Sequence, residues 1–378
     1  MSASRPIDRP LDSRAEGLPG SARFDVERSL PEASFLDGFR ESAGDAGRRP
    51  TLTQVAALAG VSLKTASRAL NDEPNVAEAT GRRVREAADK LGYRLNGIAR
   101  ELRRGATSAL VGLISGDLTN PFYSAVASGI ERELRQHGLQ LVTANNDEDA
   151  ELEQALVDAF LQRRVRALLV VPSGEHHDYL AIEGNRGVPF VFLDRPPDGL
   201  AADAVVIDNA GGARAAAEHL LAAGHRRIAL VADLASKAPQ RGRIDGFVQA
   251  MEAAGNEEWR PFLRTDVHDV HRAEETVREL MALEPRPTAL FTTNNRLTTG
   301  ALRVVHGQAG PPALIGFDDF DLADVIGTTV VAHDPVALGR EAARLAHERI
   351  SGFRGPARTV TIPTSLIARG SGERPPTR

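Results

Sequence analysis

The sequence predicts a small all-α helix-turn-helix head joined to a larger α/β body. Three observations carry that reading. The sign of the charge changes along the chain. Two short amphipathic helices flank a glycine near the N-terminus. From Ala109 onward, apolar strand-like runs alternate with helix-period segments. The chain has 378 residues, enough at roughly 150 per domain for two or three domains with sizeable cores. Hydrophobic residues make up 42% and charged residues 26%, the balance of an ordinary globular protein.

The net charge of −5, taken whole, argues against a nucleic-acid partner. Divided along the chain it reads differently. Residues 48–108 hold twelve Lys and Arg against six Asp and Glu, a net of +6, so the remainder carries −11. A basic module on an acidic body is the asymmetry of a nucleic-acid-binding head, although a solvated basic face has the same composition. There is no Cys, which excludes disulfides, thiolate metal sites and a cysteine nucleophile and fits a reducing cytoplasm. Runs such as Ala167–Val171 and Val188–Leu193 are far short of the ~20 residues of a membrane span, and the first 30 residues lack the apolar core of a signal peptide.

Residues 1–47 are rich in Ser, Gly, Pro, Arg and Asp and read as a disordered extension. The head follows at 48–95. Thr51 and Gln54 have capping-box spacing, and Leu52, Val55, Ala56 and Ala59 share one helix face. Gly60 is placed to end that helix and Ser62 to cap a second, running to about Leu70. A third helix, about Ala79–Leu91, closes the unit with Val84, Ala87, Ala88 and Leu91. In this geometry the second helix enters the major groove. Leu63, Lys64 and Arg68 then reach base edges, and Thr53, Ser62, Thr65, Ser67 and Asn71 suit phosphates. A plain three-helix domain is the alternative. In residues 96–107, Ile98, Ala99 and Leu102 form an apolar face that would dock on a core.

The body begins at 108. Strand-like runs are Ala109–Ile114, Leu139–Thr143, Ala167–Val171, Val188–Leu193, Arg227–Val231, Thr288–Phe291 and Ala313–Ile315, with helical segments such as Pro121–His137, Asp149–Gln162, Ala210–Ala223 and Arg241–Ala253 between them. The alternation predicts parallel sheets covered by helices, long enough for two lobes, with ligands beyond the carboxyl ends of the strands. Motifs at those ends supply Phe122, Tyr123, Ser173, Asp194, Arg195, Arg241, Asn295 and Asp318 as candidate ligand contacts. Each has a bland reading: Asp208 and Asn209 as helix caps, Arg243 paired with Asp245, Asp318 as a turn stabiliser. Trp259 is a further candidate platform. Asp266, His268, Asp269 and His271 form a polar cluster that reads as a surface loop rather than a metal site. No Gly-x-Ser-x-Gly elbow, Walker A loop or His-Glu-x-x-His motif is present, so no enzyme, metal or cofactor is expected.

The segment Val55-Ala56-x-x-Ala59-Gly60-Val61-Ser62-x-x-Thr65-Ala66-Ser67-Arg68-Ala69-Leu70-Asn71 resembles the head of lactose-repressor (LacI/GalR) family regulators. Val76, Thr80, Arg83, Val84, Tyr93 and Asn96 continue the likeness, which runs from about Thr51 to Gly370. The resemblance implies that Leu63, Lys64 and Arg68 read bases and that Asn96–Arg103 is a hinge helix, with Ala99 facing its twin and Leu102 wedged into the minor groove. Leu95 departs from the family, which commonly has proline there. The body would be a two-lobed effector domain like periplasmic sugar-binding proteins. Its N-lobe would span 108–207 and 335–357 and its C-lobe 208–334 and 358–370, with 371–378 as a tail. Phe122, Asp194, Arg241, Asn295 and Asp318 match the family's pocket positions, with Asn295 where many relatives have Asp. The implied protein is a homodimeric, cytoplasmic transcription regulator, a repressor that reads a pseudo-palindromic operator in double-stranded DNA. A small effector governs it, a sugar or sugar derivative before a nucleobase. A solute-binding protein or an enzyme with an accessory head is the rival reading.

Overall fold

The computed structural model describes residues 50–71, 73–74, 76–94, 108–174, 176–177, 179–180 and 187–376. The expected extension 1–47 and the hinge positions Asn96, Ala99 and Leu102 lie outside the described residues. The chain divides into two compact units at Asn96.

In the first unit, α1 (Leu52–Ala59), α2 (Leu63–Leu70) and α3 (Glu78–Leu91) surround a core of small side chains, chiefly Val55, Ala56, Ala59, Ala66, Ala69 and Val84. Alanine at the crossings lets helices this short approach closely. Local chemistry sets the ends. The Thr51 hydroxyl accepts the Gln54 amide while the Gln54 side chain accepts the Thr51 amide, a reciprocal capping box. Gly60 adopts φ 62°, where a Cβ would be strained, and turns the chain into Ser62, whose hydroxyl caps α2 through the Thr65 amide.

The second unit is two six-stranded sheets. One, ordered β11-β5-β4-β3-β1-β2, consists of β1 (Leu110–Ser115), β2 (Gln140–Asn145), β3 (Leu168–Val170), β4 (Phe190–Leu193), β5 (Asp203–Ile207) and β11 (Thr359–Ile362), all parallel. The other, ordered β12-β10-β9-β8-β6-β7, consists of β6 (Ile228–Val231), β7 (Leu263–Arg264), β8 (Ala289–Thr292), β9 (Ala313–Phe317), β10 (Thr329–Ala332) and β12 (Ser365–Ile367), with only β12 antiparallel. Helices α4 (Pro121–Gln136), α5 (Ala150–Gln162) and α10 (Pro335–Ile350) flank the first sheet. Helices α6 (Asn209–Ala222), α7 (Ala238–Ala253), α8 (Val270–Met281) and α9 (Asn295–Val305) flank the second. The central strands are buried on both faces, which is why they read as unbroken apolar runs. The chain crosses between lobes three times: from β5 to α6, from β10 to α10 and from β11 to β12.

Three sequence expectations change here. Residues 358–362, expected in the C-lobe, join the N-lobe, where β11 pairs with β5 from Thr359–Ala204 to Ile362–Ile207. Buried Asp203 pins that edge. Its carboxylate accepts from the Arg358 amide at 2.9 Å and from the guanidinium of Arg349 at 2.7 Å. The expected tail is built into the C-lobe as far as Pro376. The buried Ser371 hydroxyl donates to the Leu314 carbonyl at 2.6 Å, the Thr329 amide donates to Ser371 Oγ at 2.8 Å, and Arg374 donates to the Pro312 carbonyl at 3.0 Å. Trp259 is a core residue, edge-on to Phe247 at 5.6 Å, and provides no platform.

Candidate functional site

Helix α2 presents Leu63, with half its surface exposed, and exposed Lys64 at its N-terminal end, and half-buried Arg68 one turn on. Lys64 and Arg68 share a face because residues four apart lie one turn away on a helix, and Leu63 stands beside Lys64 at the helix start. The residues expected at phosphates are mostly engaged at the helix ends. The hydroxyls of Ser62 and Thr65 pair at 2.8 Å, and the Asn71 side-chain Nδ2 donates to the Ser67 carbonyl at 2.7 Å. Thr53 is exposed on the first turn of α1.

In the second unit the carboxyl ends of β1, β2 and β4 meet the N-terminal ends of α7 and α9 across a cleft enclosing about 220 Å³. That lies under the ~300–1,000 Å³ typical of drug-sized ligands and suits a small one. Four residues at its walls, Asp147, Glu148, Asp194 and Asp318, have φ between 48° and 69°, a left-handed conformation unfavourable for non-glycine residues. They are four of the seven such non-glycine residues among the described ones. Backbone held in this region over a site is strain that the surrounding packing imposes.

Arg243 organises the floor. Its Nε donates to Asn209 Oδ1 at 2.8 Å and its Nη1 to the Thr293 carbonyl, while Nη2 lies 3.5 Å from Asp318 and the guanidinium sits 3.7 Å above the Phe317 ring. Burial pushes the Asp318 carboxyl up, but the Arg243 charge and a hydrogen bond from His333 at 3.0 Å hold it below the usual range. Asp194 is the opposite case: burial raises its carboxyl, and Arg195 and Arg243 only partly offset that. The other wall is an ion cluster. Arg195 donates to both oxygens of Glu148 at 2.7 Å, and Lys237 reaches the same carboxylate at 2.9 Å from across the cleft. Burial alone would raise Glu148, yet these two cations bring it down to about 2. Arg296 pairs with Asp117 and donates to Thr119 Oγ1 at 3.1 Å, Asn295 donates to Asn120 at 3.2 Å, and Lys237 also donates to the Ser173 carbonyl at 3.3 Å, so these three side chains bridge the lobes.

The structure brings Phe122, Tyr123, Asp194, Arg195 and Asp318 together at this cleft. Asn295 lies against an adjoining cavity with Phe122 and His333, its side-chain oxygen buried and unpartnered. Ser173 and Arg241 line a separate cavity beyond Arg195 and Lys237. Arg241 is not in the cleft: its guanidinium turns back to the carbonyls of Ala235 and Ser236. Helix α7 starts at Ala238, and two residues on an α-helix point to nearly opposite sides, so Arg243 takes the cleft and Arg241 the outer face. Arg243 pairs with Asp318, not with Asp245. Asp208 caps α6 through the Gly211 amide at 2.9 Å, as its bland reading supposed. In the 266–271 cluster, Asp269 caps α8 and His268 contacts Asp233 at 2.8 Å; no described group of three or more ligating side chains could hold a metal. Glu148, Lys237, Gln240 and Arg296 were not singled out from sequence. Glu148 follows the carboxyl end of β2, the same signal that marked the other motifs.

Comparison with known proteins adds family evidence. The profile of bacterial regulatory proteins of the lacI family matches residues 51–96, and that of periplasmic binding proteins and the sugar-binding domain of the LacI family matches residues 108–370. The HTH-type transcriptional regulator PtxS of Pseudomonas aeruginosa is 36% identical over 85% of this chain and 96% of its own length. The solved complex of the transcriptional regulator CelR with cellobiose is 30% identical, with a TM-score of 0.62 over 86% of this chain and all of that one. A LacI-family regulator from Enterococcus faecium with bound ribose is 25% identical, with a TM-score of 0.63 over 71% of this chain and all of that one.

Proposed function

Because the chain belongs to the LacI family of bacterial regulatory proteins, and is by that membership a DNA-binding transcriptional regulator, we propose that it is a cytoplasmic, homodimeric repressor. Its affinity for a pseudo-palindromic operator is set by a small polyhydroxylated ligand in the interlobe cleft. No helix among the described residues is long and apolar enough to cross a membrane. The observation that carries the ligand assignment is the alternation of carboxylate and guanidinium around one small cavity, Asp194 and Asp318 beside Arg195 and Arg243. A hydroxyl donates to one and accepts from the other, so a ring of hydroxyls satisfies both in a way that a purely anionic or apolar molecule does not. The ribose and cellobiose held by the two relatives described above are ligands of this kind. Leu63, Lys64 and Arg68 read bases; Thr53, Ser62, Thr65, Ser67 and Asn71 lie toward phosphates. Asn96, Ala99 and Leu102 form the hinge that engages the minor groove.

Selection of the full chain on a randomised duplex library, followed by anisotropy titrations with ribose, cellobiose and other neutral sugars, tests this. The expected outcome is a two-fold-symmetric motif and a sugar that changes affinity for it. A chain that enriches no motif is not a sequence-specific regulator. A motif whose binding no sugar alters, and a cleft that binds none by calorimetry, overturn the ligand assignment.

A further inference from the structure

Arginine carries five N–H groups in a planar fork with two usable edges: a side edge formed by Nε and one Nη, and an end edge formed by the two Nη groups. In Arg68 the side edge already faces two acceptors. Nε lies 3.4 Å from Glu73 Oε2, and Nη2 donates to the Pro74 carbonyl at 2.9 Å. Both acceptors belong to the turn that follows α2, which is itself tied to the helix by the Glu73 amide donating to the Arg68 carbonyl at 3.0 Å. Nη1 has no hydrogen-bond partner among the described residues, so the end edge is open. Two parallel N–H groups on an end edge match the O6 and N7 acceptors of guanine.

We propose that Glu73 is a positioning residue for base reading. Together with the Pro74 carbonyl, it holds the Arg68 guanidinium by its side edge and presents the end edge to a guanine in the major groove. The assignment rests on the reading of Arg68 as a base reader. It goes beyond that reading by giving a carboxylate that never touches DNA a part in specificity. Net charge alone predicts the opposite, because an acid beside the DNA-binding helix repels phosphate. Two effects therefore separate. Loss of the Glu73 charge strengthens binding to any sequence, while loss of its acceptor frees the Arg68 side chain to sample other rotamers and accept other bases. Both groups are only partly buried, so the orienting effect is modest, about two- to five-fold in base discrimination per half-site.

The test is selection of the full chain on the same randomised duplex library, in wild type and in Arg68→Ala, Glu73→Ala and Glu73→Gln forms. Each is first shown to melt cooperatively by circular dichroism. Wild type is expected to require guanine at one symmetric position. Arg68→Ala loses that requirement. Glu73→Ala weakens it two- to five-fold at that position alone, with equal or tighter binding to random DNA. Glu73→Gln, which keeps an acceptor oxygen, restores most of it. A motif unchanged by Arg68→Ala removes the base-reading assignment itself. A motif that Arg68→Ala degrades but Glu73→Ala leaves intact overturns the positioning role and spares the reading. Equal loss of discrimination at every position in Glu73→Ala makes Glu73 a purely structural part of the turn and overturns it as well.

Discussion

At the scale of single residues, Arg243 decides how the cleft is held. It is almost fully buried, and its removal leaves the Asp318 carboxylate in low dielectric without its arginine partner. Arg243→Ala should therefore cost about 3 kcal/mol of stability, the scale of breaking a buried ion pair, and should abolish ligand binding. Arg241→Ala, two residues earlier, should leave both within error. Urea unfolding and calorimetry distinguish them, and equal effects would return Arg241 to the site. The sequence showed two arginines opening one helix but not where the helix begins, and that offset alone chooses between them. Glu148 gives a pH signature. Its folded value of about 2 lies below the ordinary 4.5, so the unfolded chain takes up the proton first as the pH falls. Its stabilisation is complete above about pH 5 and fades as the pH drops toward the folded value. Glu148→Gln should lower the urea midpoint at neutral pH, and the gap from wild type should narrow steadily below about pH 4. A gap constant with pH would mean that the ion cluster contributes nothing.

At the scale of elements, helix pairs are set by glycine on facing sides. A Cβ on Gly129 of α4 would lie 2.2 Å from the Val336 carbonyl oxygen, and one on Gly339 of α10 would lie 2.1 Å from the Val126 carbonyl oxygen. The two helices touch backbone to backbone, and neither carbonyl can move without breaking its own helix. Gly129→Ala should cost at least the ~1–3 kcal/mol of an overpacked core, despite alanine's better helix propensity. A melting temperature at or above wild type would show that the helices slide apart freely. Most elements were legible, the head's three helices and the body's helices by their period and seven strands as apolar runs between them. The strands Asp203–Ile207 and Thr329–Ala332 were not marked. Each is a brief apolar run buried on both faces, with no alternation to set it apart from a loop or helix fragment. The segment Thr359–Ile362 falls within the stretch 358–370 expected whole in the C-lobe, and its sequence does not name a sheet. Its ladder with β5 and the Asp203 carboxylate, seen in three dimensions, place it in the N-lobe.

At the scale of the whole molecule, the split of charge into a basic segment and an acidic remainder separates DNA contact from sensing, and the acidic body is where a movable joint is built. Its lobes are joined by three chain crossings and by side-chain contacts across the cleft mouth: Lys237 with Glu148, Arg296 with Asp117, and Asn295 with Asn120. The two ion pairs are between a fifth and a third exposed, so each contributes of order 0.5–1 kcal/mol to closure. Together that is about a five- to thirty-fold bias, enough to set the resting population yet small enough for a ligand to override. Lys237→Met with Arg296→Met should therefore open the unliganded lobes and weaken ligand affinity by about that factor, because binding must then supply the closure. The absence of cysteine makes this directly measurable. One cysteine introduced at exposed Gln136 in the N-lobe and another at exposed Glu279 in the C-lobe carry spin labels without competing thiols. Diluting labelled with unlabelled chain isolates distances within one protomer. The double variant should show a longer and broader distance distribution that contracts on adding the sugar. If distributions of wild type and variant coincide without ligand, the ion pairs do not hold the lobes, and the crossings alone set their separation.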